Sequence, residues 1–264
     1  MTFRAIEVLK KVSLIGAEDT RDSAFLLKHY GIGTPTISYH KFNEKARVDL
    51  IIGKLKHGED IAIITDAGTP GISDPASIIV NEAINNGIEV STLPGATAFL
   101  PALVSSGLTT EQFTFIGFLP AKISKQRELL ARVKDYPETL IFYEAPHRIF
   151  SFLAILYEYL GNRKVAVARE ISKKFETYTR GTLEYLLHNQ DTIVPKGEFV
   201  IICEGAQAKE IADDKIEQLI IELLSNGESK NSIVSKVCRE LNLPKNRVYK
   251  LVLELASNGA KGAE

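Results

Sequence analysis

Net charge is nearly absent from this 264-residue chain: 32 lysines and arginines meet 33 aspartates and glutamates, leaving −1 with histidine neutral. The whole molecule is therefore no electrostatic magnet for nucleic acid, and any basic face has to be local. Cysteine is scarce too. Cys203 and Cys238 stand far apart in no metal-ligand spacing, which argues against a metal site and suits a reducing, cytoplasmic compartment. No apolar run approaches a membrane span, and the start lacks the charged-then-apolar plan of a secretory signal, so no membrane partner is expected. Also missing are a Gly-Lys-Ser phosphate loop, a Gly-x-Gly-x-x-Gly fingerprint, a His-Glu-x-x-His helix and a serine nucleophile elbow. Nucleotide hydrolysis, ordinary dinucleotide binding and zinc hydrolysis lose support together. What is present is 45% hydrophobic and 25% charged residues, the proportions of a globular protein with one large or two modest domains.

Strand-like and helix-like segments alternate, which predicts an α/β fold with parallel pairing. Helices are expected over 3–11, 22–30, 44–57, 76–86, 96–106, 125–134 and 149–160. Strands are expected over 12–17, 36–39, 61–64, 88–93, 113–116, 139–143, 165–168 and 199–203. The alternating segment 175–179 is expected to pair antiparallel, and from Asp213 onward three helices fit best. The chain then divides into an N-terminal α/β domain over 1–107, a second α/β domain over 108–208 and a helical segment over 209–264.

Polar clusters recur where strands end. The richest is Thr65 to Pro75, with Asp66, Gly68, Thr69, Pro70, Gly71, Ile72 and Asp74 between the apolar run Ile61–Ile64 and the next helix. Two glycines let backbone approach a ligand, two prolines fix φ, and open α/β sheets bind ligands at this carboxyl edge. An ordinary βα turn is the competing reading. Ala17-Glu18-Asp19-Thr20-Arg21 offers a carboxylate acceptor, a base and a phosphate-binding fork, or simply an N-capped helix start. Leu93-Pro94-Gly95-Ala96-Thr97-Ala98 puts small residues at a helix start, which suits either a polar ligand or close packing. Phe142-Tyr143-Glu144-Ala145-Pro146-His147-Arg148 joins an aromatic pair to proton-handling groups. Ala168-Arg169-Glu170 with Lys173 and Lys174 reads as a solvated turn or a phosphate contact.

Near the C-terminus, Cys238, Asn242 and Val248 fall at the spacing of a helix-turn-helix, with Pro244 at a helix start. From Ser229 to Lys250, Lys230, Lys236, Arg239, Lys245, Arg247 and Lys250 against Glu240 leave a local +5. That excess points to nucleic acid, contacted through Lys245, Arg247 and Lys250, rather than to a plain helical cap.

In order, Ala-Glu-Asp-Thr-Arg (17–21), Thr-Asp-Ala-Gly-Thr-Pro-Gly-Ile-Ser-Asp-Pro (65–75), Leu-Pro-Gly (93–95), Gly-Phe-Leu-Pro (117–120), Tyr-Glu-Ala-Pro-His-Arg (143–148) and Ala-Arg-Glu (168–170) resemble the ribosomal RNA small subunit methyltransferase I family. That family lies in the tetrapyrrole-methylase-like superfamily of S-adenosylmethionine enzymes, and the resemblance covers nearly the whole chain. It implies two α/β domains with the donor, S-adenosylmethionine, in the cleft between them. It further implies methylation of the ribose 2′-oxygen of a cytidine in 16S ribosomal RNA of the small ribosomal subunit, carried out by a homodimer. Carried over, the donor is held by Asp66, Gly68, Thr69, Pro70, Gly71, Ile72, Asp74, Gly95, Thr97, Ala98, Phe142 and Tyr143. The base is one of Glu18, Asp19, Glu144 and His147, and Arg21, Arg148 and Arg169 hold phosphates or polarise the hydroxyl. Such an in-line displacement needs alignment and a deprotonated oxygen, and no metal.

The chain departs from the family in three places. Members begin with a strand and a Thr-Pro-Ile-Gly-Asn-Leu loop ahead of the helix that here starts at Phe3, and both are expected to be missing from the sheet and the cleft wall. Ala76 stands where Gly is common, and Ala96-Thr97 where Pro-Ser is common. Two other functions stay open: a tetrapyrrole methylase, against which the basic tail and arginine-rich loops count, and a non-catalytic nucleic-acid-binding protein with a broken donor cleft.

Overall fold

Thr2 opens helix α1 (Phe3–Lys11) by accepting the Ala5 amide at 3.2 Å. The computed structural model describes residues 1–207, 213–241, 243 and 245–261, and the chain divides into two compact units, Met1–Ala206 and Gln207–Glu264. Both sheets belong to the first unit.

The first sheet is β1 (Leu14–Ala17), β2 (Thr36–Ser38) and β3 (Ile61–Ile64), in the order β2-β1-β3 and parallel throughout. Helix α2 (Thr20–His29) joins α1 on one face around Leu9, Ile15, Leu27 and Ile32. Helices α3 (Glu44–Lys56) and α4 (Ser77–Asn85) cover the other around Tyr39, Ile51, Ile52 and Ile79. With helices on both faces, β1 has no polar side and reads Leu-Ile-Gly-Ala, all buried. Gly16 is small for a reason: a methyl there would stand 2.7 Å from Ile63 Cδ1 and 3.2 Å from Tyr39 Cβ.

The second sheet is β4 (Phe113–Phe118), β5 (Thr139–Glu144), β6 (Lys164–Arg169), β7 (Thr177–Thr182) and β8 (Phe199–Cys203), ordered β4-β5-β8-β6-β7. Only β4 and β5 pair in parallel, since β8 lies antiparallel between β5 and β6, and β7 antiparallel to β6. The expectation of parallel pairing thus holds for the first sheet and for β4 with β5, and the antiparallel pairing expected of 175–179 is found from Thr177 in β7. Helix α5 (Phe99–Val104) packs one face with Ala102 and Leu103 against Ile141, Ala166 and Ile202. Helices α6 (Ile123–Val133), α7 (Ile149–Leu160) and α8 (Leu183–His188) pack the other against Leu140, Phe142, Val165 and Ile201. Arg180 ties α5 down by donating to the carbonyls of Ser105 and Ser106.

Two expectations for this unit need correcting. Residues 88–93 form no strand, although Ile-Glu-Val-Ser-Thr-Leu has the right alternation. A strand exists through its ladder, and among the described residues β3 pairs on one side only, with β1. The segment stays largely open to solvent, with Val90 41% exposed. The helix expected over 96–106 shrinks to Phe99–Val104.

The second unit is α9 (Asp213–Ser225), α10 (Lys230–Leu241) and α11 (Lys245–Lys261), closed around Ile216, Ile220, Ile233, Val237, Val248 and Val252. Cys238 and Val248 serve its core as their spacing suggested, while Asn242 and Pro244 lie outside the described residues. Among the described residues no helix is long and apolar enough to cross a membrane, and no cluster of histidine, cysteine or acidic side chains is arranged to hold a metal.

Candidate functional site

Parallel register decides what meets at the edge of the first sheet. Ala17 lies opposite both Ser38 and Ile64, so the loops after β1, β2 and β3 leave side by side. Thr65 Oγ1 donates to Glu18 Oε2 at 2.5 Å, and the Asp66 amide reaches the same oxygen at 3.3 Å. The Asp19 amide donates to Asp66 Oδ1 at 3.1 Å. The 17–21 and 65–75 clusters, 47 residues apart, are therefore one constellation.

Its carboxylates differ in character. Asp19 caps α2 through the Arg21 amide at 2.8 Å and grips the Arg21 guanidinium at 2.9 Å. Those bonds pull the Asp19 carboxyl down to about 2. Asp66 and Asp74 move the other way, raised chiefly by burial and secondarily by neighbouring charge, that of Glu18 in both cases. Arg21 extends past Asp19 with 88% of its side chain exposed.

The loop after β3 also reaches the rest of the cleft. Thr69 Oγ1 donates to the Ala96 carbonyl at 3.1 Å, joining the loop to the 93–98 turn. Gly68 and Gly71 hold φ of +80° and +86°, which presents backbone rather than side chain. Ile72 is 41% exposed on this loop. On the far side, Ser73 rests against Gly117 of β4, where an added methyl would lie 3.1 Å from Ser73 Oγ. The two sheets thus meet at the loop that the sequence marked first.

Tyr143 projects from β5 toward α5. Its ring sits edge-on to Phe115 at 5.1 Å and to Phe118 at 5.5 Å, and Phe99 stacks on Phe115 at 4.7 Å. Burial, with the charge of Asp74 nearby, pushes the Tyr143 phenol up. The aromatic wall of Phe99, Phe115 and Phe118 was not expected. Its available signal was Gly117 inside an otherwise aromatic strand, which marks a bulge or a close approach.

Several expected site residues lie elsewhere. Successive strand residues face opposite ways, so Phe142 points into the core under α7, fully buried and 5.4 Å from Phe152. Only its backbone can line the cleft. Glu144 shares that inner face at 2% exposure: Oε1 accepts the Ala145 amide at 2.8 Å, and Oε2 lies 3.2 Å from Arg148 Nη2. Burial raises its carboxyl. Glu144 and Arg148 therefore form an ion pair turned away from Tyr143, beside a cavity of about 400 Å³ lined by Gln126, Phe152 and Glu158. His147 is exposed on the short Pro146–Arg148 turn. Arg169 is bound by backbone, Nε to the Lys196 carbonyl and Nη1 to that of Phe175, so it braces two loops. Gly95 is exposed on its turn, and Thr97 and Ala98 lie half-buried at the start of α5. In the second unit, Lys245 and Lys250 are exposed on α11, and Arg247 is half-buried there.

Comparison with known proteins bears on the family and the fold. The family model of Tetrapyrrole (Corrin/Porphyrin) Methylases matches residues 1–187. A protein of Synechocystis sp. named Ribosomal RNA small subunit methyltransferase I is 40% identical over 98% of this chain and 94% of its own length. One of the same name from Bacillus subtilis is 40% identical over 94% of this chain and 88% of its own. Among solved structures, a diphthine synthase matches with TM-score 0.62 at 11% identity, covering 78% of this chain and 84% of its own. Uroporphyrin-III C-methyl transferase from Thermus thermophilus, complexed with S-adenyl homocysteine, matches with TM-score 0.52 at 17% identity over 76% of this chain and 90% of its own.

Proposed function

The chain belongs to the ribosomal RNA small subunit methyltransferase I family of tetrapyrrole methylases, and from that membership we propose that it methylates the ribose 2′-oxygen of a cytidine in 16S ribosomal RNA, with S-adenosylmethionine as donor. The observation that carries the reading is the meeting of Glu18, Thr65 and Asp66 at the carboxyl edge of the first sheet, beside the positive-φ backbone of Gly68 and Gly71. This lining suits the donor chemically: carboxylates face a cationic sulfonium and ammonium, glycine backbone admits close approach, and aromatic rings supply an apolar wall. Asp66 to Asp74, Gly95 to Ala98, Tyr143 and the backbone at Phe142 would hold it. When bound, S-adenosylmethionine supplies an electrophilic methyl group on positively charged sulfur.

The chain's own residues then have two tasks, alignment and proton removal. Glu18 is the base in this reading, taking the ribose hydroxyl proton onto its carboxylate. Asp19 is disfavoured because Arg21 holds it near 2, where it has little affinity for a proton. Glu144 is disfavoured because it lies on the opposite face of β5. Arg21, exposed beyond Asp19, and Lys245, Arg247 and Lys250 face the RNA backbone. We also infer a homodimer, supported by Phe3 and Phe25, 88% and 81% exposed on α1 and α2, and a cytoplasmic setting, where the substrate is. The division at 107/108 separates the sheets and remains part of the proposal.

Ribose-methylation mapping of 16S RNA from a deletion strain tests the substrate: a missing cytidine 2′-O-methyl signal is expected, and an unchanged one overturns the reading. Calorimetric titration of the purified chain with S-adenosylmethionine tests the donor, and no heat of binding would leave a non-catalytic RNA-binding protein.

A further inference from the structure

We propose that the segment His40–Lys45, the loop leaving β2 with the first turn of α3, is a stacking platform for an unpaired nucleotide of the RNA substrate, with Phe42 carrying the base. The proposal rests on the RNA-methyltransferase reading and adds a substrate-binding element to it. Ala17 pairs with Ser38, one strand spacing of about 4.8 Å apart, so this segment and the Glu18–Arg21 segment leave the same sheet edge from neighbouring strands. A nucleotide held there neighbours one whose ribose reaches Glu18.

Phe42 is 94% exposed, more than any other large hydrophobic residue among those described. Its loop is nevertheless firmly tied. Asn43 Oδ1 accepts the His40 amide at 2.8 Å, while Asn43 Nδ2 donates to the carbonyl and hydroxyl of Ser38, both at 3.2 Å. The Phe42 amide donates to His40 Nδ1 at 3.2 Å, and the two rings meet edge-on at 6.1 Å. The fold therefore holds an aromatic face out in water, which favours any partner with a flat π surface.

Charge selects that partner. Lys41 and Lys45 are exposed on either side of Phe42 in the sequence, and Arg21 stands in the first turn of α2. The one acid of the loop, Glu44, is turned inward, with Oε2 buried and its charge against the Tyr39 phenol. An aromatic ring flanked by cations, with the nearby carboxylate withdrawn, is complementary to single-stranded RNA: stacking for the base, ammonium groups for its phosphates. The exposed Phe3 and Phe25 sit on α1 and α2, which pack against a face of the sheet.

The chain contains no tryptophan, so Phe42→Trp installs a single indole reporter. Titration of the full-length variant with a short oligocytidylate is expected to give saturable quenching of its emission. Phe42→Ala is expected to melt like the wild type and bind S-adenosylmethionine equally well, with KM for the small ribosomal subunit about tenfold to a hundredfold higher and kcat retained. Unmoved indole emission while fluorescence anisotropy of labelled RNA reports binding would overturn the platform, as would an unchanged KM. A concentration-dependent blue shift without RNA would instead assign the loop to contact between two copies. Quenching by RNA in a protein that methylates no ribose would sink the proposed reaction and leave the platform standing.

Discussion

Replacing Gly117 by alanine probes the contact that joins the two sheets. Gly117 lies within β4 at φ +71°, where pairing with β5 skips from Phe115 to Gly117. A Cβ at that φ costs about 1–2 kcal/mol. The methyl would also stand 3.1 Å from Ser73 Oγ, and pushing the loop back by a few tenths of an ångström adds about 1 kcal/mol. Together these give about 2–3 kcal/mol, which in a unit of about 200 residues lowers Tm by about 4–12 °C. Ser73 is itself at φ +67°, so Ser73→Gly removes the hydroxyl without straining the backbone. In that background Gly117→Ala should cost only the backbone part. Thermal unfolding of the four proteins closes the cycle, and calorimetry with S-adenosylhomocysteine should show weaker binding for Gly117→Ala alone. A Gly117→Ala protein melting within about 1 °C of wild type, or a cycle additive within about 0.3 kcal/mol, would refute the idea that the loop rests on β4.

Glu18→Gln is expected to lower kcat by about 10²–10⁴ with donor affinity retained, and by far more than Asp19→Asn; steady-state kinetics with the reverse order would move the base to Asp19. Burial raises the Glu144 carboxyl, so its folded pKa exceeds its unfolded value. The stability it contributes is then complete below the unfolded pKa, about 4.3, and is lost as pH rises through the folded pKa. Urea unfolding across pH 4 to 7 should show Glu144→Gln gaining on the wild type as pH rises, and a steady or falling difference would contradict the burial argument.

The loop at 65–75 was legible because its meaning is local. An apolar run, two glycines, two prolines and a following helix lie within one stretch of chain. Segment 88–93 was not, because a strand needs a neighbour and local alternation cannot supply one. The pair Phe142–Tyr143 shows a second limit. Both are aromatic and lie near the end of the same strand, yet a single step in register sends one under α7 and the other to the opposite face, beside α5. Glu144 and Arg148, four residues apart, looked like site chemistry and form an ion pair behind the sheet. Arg169 looked like a phosphate ligand because its real partners, the carbonyls of Phe175 and Lys196, arrive with tertiary structure.

Arg169 is one of three such arginines. Arg163 donates to the carbonyls of Leu160, Glu204 and Lys134, and Arg180 to those of Ser105 and Ser106. Each of these guanidiniums spends two or three of its five donors on backbone carbonyls, which pins it between loops. On the proposed RNA contacts, the ionic-strength dependence of affinity is expected to come chiefly from Arg21 and the lysines of the β2 loop and the helical unit, at about 0.7 logarithmic units per phosphate engaged on a single strand. Truncating Arg169 is expected to lower the melting temperature and to leave that slope unchanged, and a smaller slope would place Arg169 among the phosphate contacts.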